Sequence, residues 1–117
     1  MGFIEKRAMS LEERAEVYKA LGHPTRLQIF EKILLNSDKA IKEDIEICVS
    51  DIAAMFDFTL ATISKHLEIL KHAGLIKTHK EGKKIIIAID IQRTKKISES
   101  LSSLITKYQE ERKNTEL

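Results

Sequence analysis

The stretch TLATISKHLEILKHAGLIKTHKEGKKIIIAI, from Thr59 to Ile89, decides the fold because it contains a capped helix followed by a hairpin. Thr59 suits the N-cap of the helix and Gly74 its C-terminal end, and the apolar residues between them recur at helical spacing: Ile63, Leu67 and Leu70. Two extended runs then flank the sequence EGK, in which glycine permits a tight turn. The pattern therefore predicts a helix that leads directly into a β-hairpin.

A shorter helix is predicted immediately before this stretch. Ser50 suits its N-cap, the helix runs to Phe56, and Asp57-Phe58 makes a brief turn before Thr59. A short helix, a tight turn, a longer helix and a basic hairpin form a winged helix-turn-helix, whose longer helix fits a DNA major groove about 12 Å wide. We therefore predict a mostly α fold with a small β-hairpin, in which residues 50–73 form the helix-turn-helix and residues 75–90 the wing.

Further helices are predicted on both sides of this unit. Ser10 and Glu13 have the spacing of a capping box. The first helix, which is assigned to residues 8–21, ends near Gly22. Pro24 suits the first turn of a second, largely apolar helix, and His23 is expected to help to cap it. The alternating segment IEIC is compatible with a short strand. With a last helix at 91–112, we interpret residues 1–117 as one domain.

Composition and charge restrict the class of protein. A chain of 117 residues that is 43% hydrophobic is long enough for one core. Its single cysteine excludes a disulfide framework. Its N-terminus is charged where a signal peptide is apolar, which argues against secretion. Its longest apolar run is too short to span a bilayer. We therefore expect a cytoplasmic protein without membrane association.

The net charge of +2 is small, but its distribution is uneven. The segment from Lys65 to Lys84 is rich in lysine and opposed only by Glu68 and Glu81, which suits a surface that faces a polyanion. A solvated lysine-rich face has the same composition, so charge alone leaves both interpretations open. The lysines at the tip of the hairpin, together with the polar face of the helix, favour nucleic acid.

Three sequence segments resemble the ArsR/SmtB family of repressors: KALGHPTRLQIFEKIL, TISKHLEILKHAGLI and the EGKK hairpin. The resemblance covers roughly residues 11–91. It implies a homodimer joined through the first and last helices, an operator DNA with twofold symmetry, and release from DNA by an effector, which in that family is often a metal ion.

The resemblance places the base-contacting part of the helix at Thr59–His66. Leu60 and Ala61 stand where the family often has Gln and Ser, which removes two hydrogen-bonding side chains. For His66 we favour packing or a structural hydrogen bond over a base contact. The residues predicted to contact DNA are Thr59, Leu60, Ala61, Thr62, Ser64, Lys65 and His66 in the helix, and His79, Lys80, Gly82, Lys83 and Lys84 in the wing.

The first and last helices carry apolar stripes that exceed what a small core can cover. They are therefore predicted to form the dimer interface that the resemblance implies, through Leu11, Tyr18, Ile97, Leu101, Leu104, Ile105 and Tyr108.

Cys48 is the one candidate for contact with an effector. Family members that bind soft metals carry C-V-C-D-L-C, and the second and third of those cysteines are Ser50 and Ala53 in this chain. Of the family's other metal site, on the last helix, only Asp90 is kept, since Gln92, Ser103 and Thr106 occupy the remaining positions. We therefore predict no metal site and no cofactor, and leave the effector unassigned. A structural role for Cys48 is favoured, with redox sensing and a metal shared between subunits as alternatives.

Two other functions compete with a DNA-binding repressor. Winged helices also serve as protein-docking modules, but the low aromatic content of 5% disfavours such an interface. An enzyme is the weakest interpretation, because the sequence has no Gly-rich phosphate loop and no nucleophile elbow.

Overall fold

The computed structural model describes residues 8–36 and 45–115. The elements follow one another as α1 (Leu11–Leu21), α2 (Pro24–Asn36), β1 (Ile45–Cys48), α3 (Val49–Ala54), α4 (Leu60–His72), β2 (Ile76–Glu81), β3 (Lys84–Ile89) and α5 (Ile91–Thr115). The predicted fold class is confirmed: the chain is mostly helical and has a small antiparallel sheet. Residues 1–7, 37–44 and 116–117 of the predicted domain lie outside the described residues.

The sheet has three strands rather than the two of a simple hairpin. Its order is β1-β3-β2, so that β3 is central and pairs with an antiparallel strand on each side. Ile47 of β1 lies opposite Ile87 of β3, and both side chains are buried. The segment IEIC is thus a strand, and it completes the sheet because its apolar side chain continues the buried face of the hairpin.

The core lies between the sheet and helices α1 to α4. Side chains from α2, α3, α4 and all three strands form one buried cluster, and the stripe predicted for α4 is confirmed: Ile63, Leu67 and Leu70 are all buried. Ile97 of α5 also belongs to this cluster, with only 8% of its surface exposed. Ile97 is thus covered within one chain and adds little exposed surface to the dimer stripe predicted for α5.

The predicted helix caps are confirmed at α1, α2 and α4. The Ser10 hydroxyl accepts a hydrogen bond from the Glu13 amide at 3.1 Å, while the Glu13 carboxylate accepts one from the Ser10 amide at 2.9 Å. Pro24 is the first residue of α2, and the Nδ1 atom of His23 accepts from the Thr25 amide at 3.2 Å. Thr59 caps α4 by accepting from the amide three residues later.

The predicted cap at Ser50 is wrong. Helix α3 begins at Val49, its N-cap is Cys48, and Cys48 makes no side-chain capping bond. The reason is that β1 ends at Cys48 and passes into α3 without an intervening residue, so Ser50 lies inside the first turn.

Gly74 ends α4 in a geometry that strongly favours glycine. Its φ is +79°, and its amide donates to the Lys71 carbonyl while the Leu75 amide donates to the Leu70 carbonyl, which is a Schellman motif. The Arg93 side chain lies against this turn, and its Nε donates to the Ala73 carbonyl at 3.0 Å. A Cβ atom at Gly74 would meet Arg93 Nε at 2.7 Å.

Within the two described ranges, none of the helices combines the length and apolar character needed to cross a membrane.

Replacing Gly74 by alanine should destabilise the protein by about 1–3 kcal/mol, because the new methyl group forces both left-handed backbone strain and displacement of Arg93. Urea denaturation followed by circular dichroism measures this change. Gly82→Ala is the matched control: its φ is +63°, but nothing lies within 4 Å of the added Cβ. It should therefore destabilise less than Gly74→Ala, and equal destabilisation by the two variants would contradict the role given to Arg93.

Candidate nucleic-acid interface

Helix α4 presents one face to the core and the opposite face to solvent. Among the predicted base-contacting residues, the exposed ones are Thr59, Leu60, Ala61, Ser64 and Lys65, and Glu68 lies beside them. Thr62 is half-buried, and its hydroxyl accepts from the Thr59 hydroxyl at 3.0 Å. The first amides of a helix have no intrahelical acceptor and carry partial positive charge. The exposed start of α4 can therefore approach a phosphate with its backbone.

The wing tip carries the largest exposed group of lysines in this region. The turn between β2 and β3 contains Gly82 in the left-handed region, and Lys80, Lys83 and Lys84 are exposed around it. Among the described residues these three lysines form no ion pair, whereas Lys77 at the base of the wing lies 3.9 Å from the Asp90 carboxylate. Their charges are thus available to an external anion.

His79 differs from these lysines because an acidic partner is close to it. Its Nε2 lies 3.2 Å from a carboxylate oxygen of Glu81 on the same strand. The wing therefore contains one histidine–carboxylate contact beside three lysines that have no acidic partner among the described residues.

Among the residues of α4 predicted to contact bases, His66 packs its ring against a residue outside that helix, His23. The ring centroid lies 5.1 Å from that of His23, and Nδ1 of His66 is buried with no hydrogen-bond partner among the described residues. Burial lowers the pKa of the His66 imidazole, and the nearby charges of His23 and Arg26 lower it further. This geometry supports the packing interpretation of His66.

The turn before α4 exposes an aromatic ring that the sequence interpretation treated only as part of a tight turn. Phe58 is half-exposed, and its ring stacks on that of Phe56 at a centroid distance of 5.9 Å. The feature of the sequence that could have indicated this exposed ring is the presence of an aromatic residue in the turn of a helix-turn-helix.

The predicted dimer residues other than Ile97 lie on exposed faces of α1 and α5: Leu11, Tyr18, Leu101, Leu104, Ile105 and Tyr108. The start of α1 contacts α5: Arg93 is 3.6 Å from the Glu13 carboxylate, and Arg14 donates to the Ser100 hydroxyl at 3.3 Å. A groove of ≈ 730 Å³ lies between α5 and the residues around the start of α1, and Leu104 is part of its lining. An unpartnered apolar stripe thus continues from this groove along α5.

Cys48 is half-buried at the junction of β1 and α3, with its sulfur 3.1 Å from the Ser50 hydroxyl oxygen. Hydrogen bonds from the side chain and the amide of Ser50 lower the pKa of the thiol, while burial and Asp51 oppose them. Across residues 8–36 and 45–115, no group of three or more His, Cys, Asp and Glu side chains is arranged to hold a metal ion. Asp90 instead caps α5, accepting from the Arg93 amide at 2.9 Å.

Comparison with known proteins agrees with this geometry. The family model for "Bacterial regulatory protein, arsR family" matches residues 23–78. An HTH-type transcriptional regulator of Bacillus subtilis, YbzH, is 36% identical over 100 residues, which cover 80% of this chain and 99% of the relative. The chain belongs to the arsR family. Its members are transcriptional regulators.

Two further comparisons define how far the similarity of this arsR-family protein extends. A cadmium resistance transcriptional regulatory protein CadC homolog of Staphylococcus aureus is 35% identical, over 73% of this chain and 64% of that protein. The solution structure of a homodimeric winged helix-turn-helix DNA-binding domain from Mycobacterium bovis is 27% identical, with a TM-score of 0.59 over 84% of this chain and 85% of that one. The match to the cadmium regulator thus spans less than two thirds of its length.

The arsR-family protein should lose stability on acidification, partly through His66. Since the folded pKa of His66 lies below its usual 6.5, the unfolded chain binds more protons, and stability falls as pH drops from 6.5 through the folded pKa. Urea denaturation at pH 7.5 and 5.5 measures the change, which should be smaller in His66→Gln. His72→Gln, at an exposed position of the same helix, is the control and should keep the wild-type change. An identical change in wild type and His66→Gln would contradict the packing of a neutral His66.

Proposed function

We propose that this arsR-family protein is a sequence-specific DNA-binding transcriptional repressor that acts as a homodimer. The observation that carries the proposal is the division of α4 into a buried apolar face, formed by Ile63, Leu67 and Leu70, and an exposed side that includes Ala61, Ser64 and Lys65. A helix of this kind, capped at its start by Thr59, suits insertion into the major groove with its first turns. The residues proposed to meet base edges there are Leu60, Ala61, Ser64 and Lys65.

The wing is proposed to contact the phosphate backbone beside that groove. Lys80, Lys83 and Lys84 lie at an exposed hairpin tip and have no acidic partner among the described residues. Lysine binds phosphate as a point charge without distinguishing bases, so the wing would supply affinity rather than specificity. The α4 side chains would then supply the specificity.

The homodimer is proposed to form through α1 and α5. Leu101, Leu104 and Ile105 are each about half exposed on a helix about 37 Å long whose second half leaves the core. A helix cannot bury such a stripe on its own, and a second copy of the same stripe related by a twofold axis covers both. Two α4 helices related by that axis would meet two operator half-sites.

Cys48 is proposed to be structural. It ends β1, begins α3 and contacts Ser50, and the corresponding soft-metal motif of the family is reduced to this single thiol. The proposed repressor function does not depend on it.

Replacing Lys83 and Lys84 by alanine should weaken DNA binding at all sequences and reduce the slope of log K against log salt by about four units for the dimer, one for each phosphate that the two wings no longer neutralise. Fluorescence anisotropy at several salt concentrations measures this slope. The control is Lys95→Ala/Lys113→Ala, which removes the same charge from exposed positions of α5. If both double variants change the slope equally, the wing does not contact the DNA.

Leu101→Glu and Leu104→Glu should each convert the dimer into a monomer, because each places an unpaired charge in the proposed interface. Sedimentation velocity gives the mass and circular dichroism shows that the chain stays folded. Leu35→Glu changes a leucine that is exposed on α2, so it should remain a dimer. A wild-type protein that is folded and monomeric at micromolar concentration would refute the interface.

A further inference from the structure

The first turn of α4 exposes apolar rather than hydrogen-bonding side chains. Leu60, the first residue of the helix, is 58% exposed, and Ala61 after it is exposed as well. The one hydroxyl immediately before them is occupied, since Thr59 accepts from the Thr62 amide at 3.2 Å and donates to the Thr62 hydroxyl. The exposed side of the first turn of α4 therefore presents methyl groups to a binding partner.

Leu60 has no packing role that explains its presence. The core stripe of α4 begins at Ile63, and Leu60 does not belong to the buried cluster or to the half-buried residues packed against it. A large aliphatic side chain at such a position gains free energy only when a partner covers it.

The surroundings of Leu60 indicate which partner covers it. Lys65 is exposed five residues further along α4, and the lysines of the wing tip follow in the next element. This cationic setting favours a polyanion, and the apolar group that the edges of the bases offer in the major groove is the C5-methyl group of thymine.

We propose that Leu60 recognises the C5-methyl group of a thymine, so that each operator half-site carries an A·T pair where the first turn of α4 enters the major groove. The inference rests on the proposed DNA-binding function. Ala61 allows the helix to approach closely, because its side chain is a single methyl group. Specificity at this base pair then comes from apolar contact rather than from a bidentate hydrogen bond.

The test deletes the methyl group from the DNA. The wild-type protein is first used to select an operator from a random duplex library, and each thymine of the selected half-site is then replaced by deoxyuridine, which lacks only that methyl group. Replacing the contacted thymine in one half-site should lower the affinity about fourfold, the effect of one buried methyl group, and replacing it in both half-sites should lower it about 16-fold.

Two variants assign that effect to a side chain. Leu60→Ala should bind the thymine and deoxyuridine operators equally, whereas Ile69→Ala, which trims another exposed aliphatic residue of α4, should keep the wild-type difference. Leu60→Gln should select adenine in place of thymine at that position, because glutamine pairs with the N6 and N7 atoms of adenine.

The outcomes separate this inference from the proposed function. An operator that is selected and bound tightly, but with no thymine sensitive to removal of its methyl group, overturns the role of Leu60 and leaves DNA binding intact. A methyl effect that persists in Leu60→Ala assigns it to another residue and also overturns the inference. Failure to select any DNA sequence overturns both proposals, and Leu60 is then an apolar contact for a protein.

Discussion

Ile63, Leu67 and Leu70 are buried in the core, and their burial determines how α4 is presented to solvent. Since a helix is rigid, fixing one face also fixes the opposite one, where Ala61, Ser64 and Lys65 are exposed. The rest of the proposed interface depends on this constraint. A chain that placed the same residues on a frayed or rotating helix would have to order them on binding, at a cost in affinity.

The C-terminal end of α4 is also held in place, by Arg93 of α5. Arg93 donates to the Ala73 carbonyl, packs over Gly74 and lies 3.6 Å from the Glu13 carboxylate. One guanidinium therefore joins α5, the end of α4 and the start of α1. Arg93 thus connects the helices proposed to form the dimer with the helix proposed to enter the groove.

Local patterns in the sequence were sufficient to predict the helix caps at Ser10 and Thr59, the stripe of α4 and the wing, because each depends on neighbours within a few residues. Such patterns could not predict the pairing of β1 with β3, since it joins residues some 40 positions apart. The burial of Ile97 in the core was not predicted, because helical periodicity gives the direction of a side chain but not the point at which α5 leaves the core. The contacts of Arg93 with Ala73 and Glu13 join distant parts of the chain, so no local sequence pattern predicts them. The exposure of Phe58 depends on how the turn before α4 packs.

In the proposed complex, two copies of α4 enter one face of the DNA through adjacent major grooves. Hydroxyl-radical footprinting on an operator selected by the protein tests it most directly. Two α4 helices bound in this way should give two protected blocks related by a twofold axis, with centres about one helical turn, or 10 base pairs, apart, and flanking protection where the wings contact phosphates. A single protected block without symmetry, or uniform weak protection that does not depend on sequence, would contradict it.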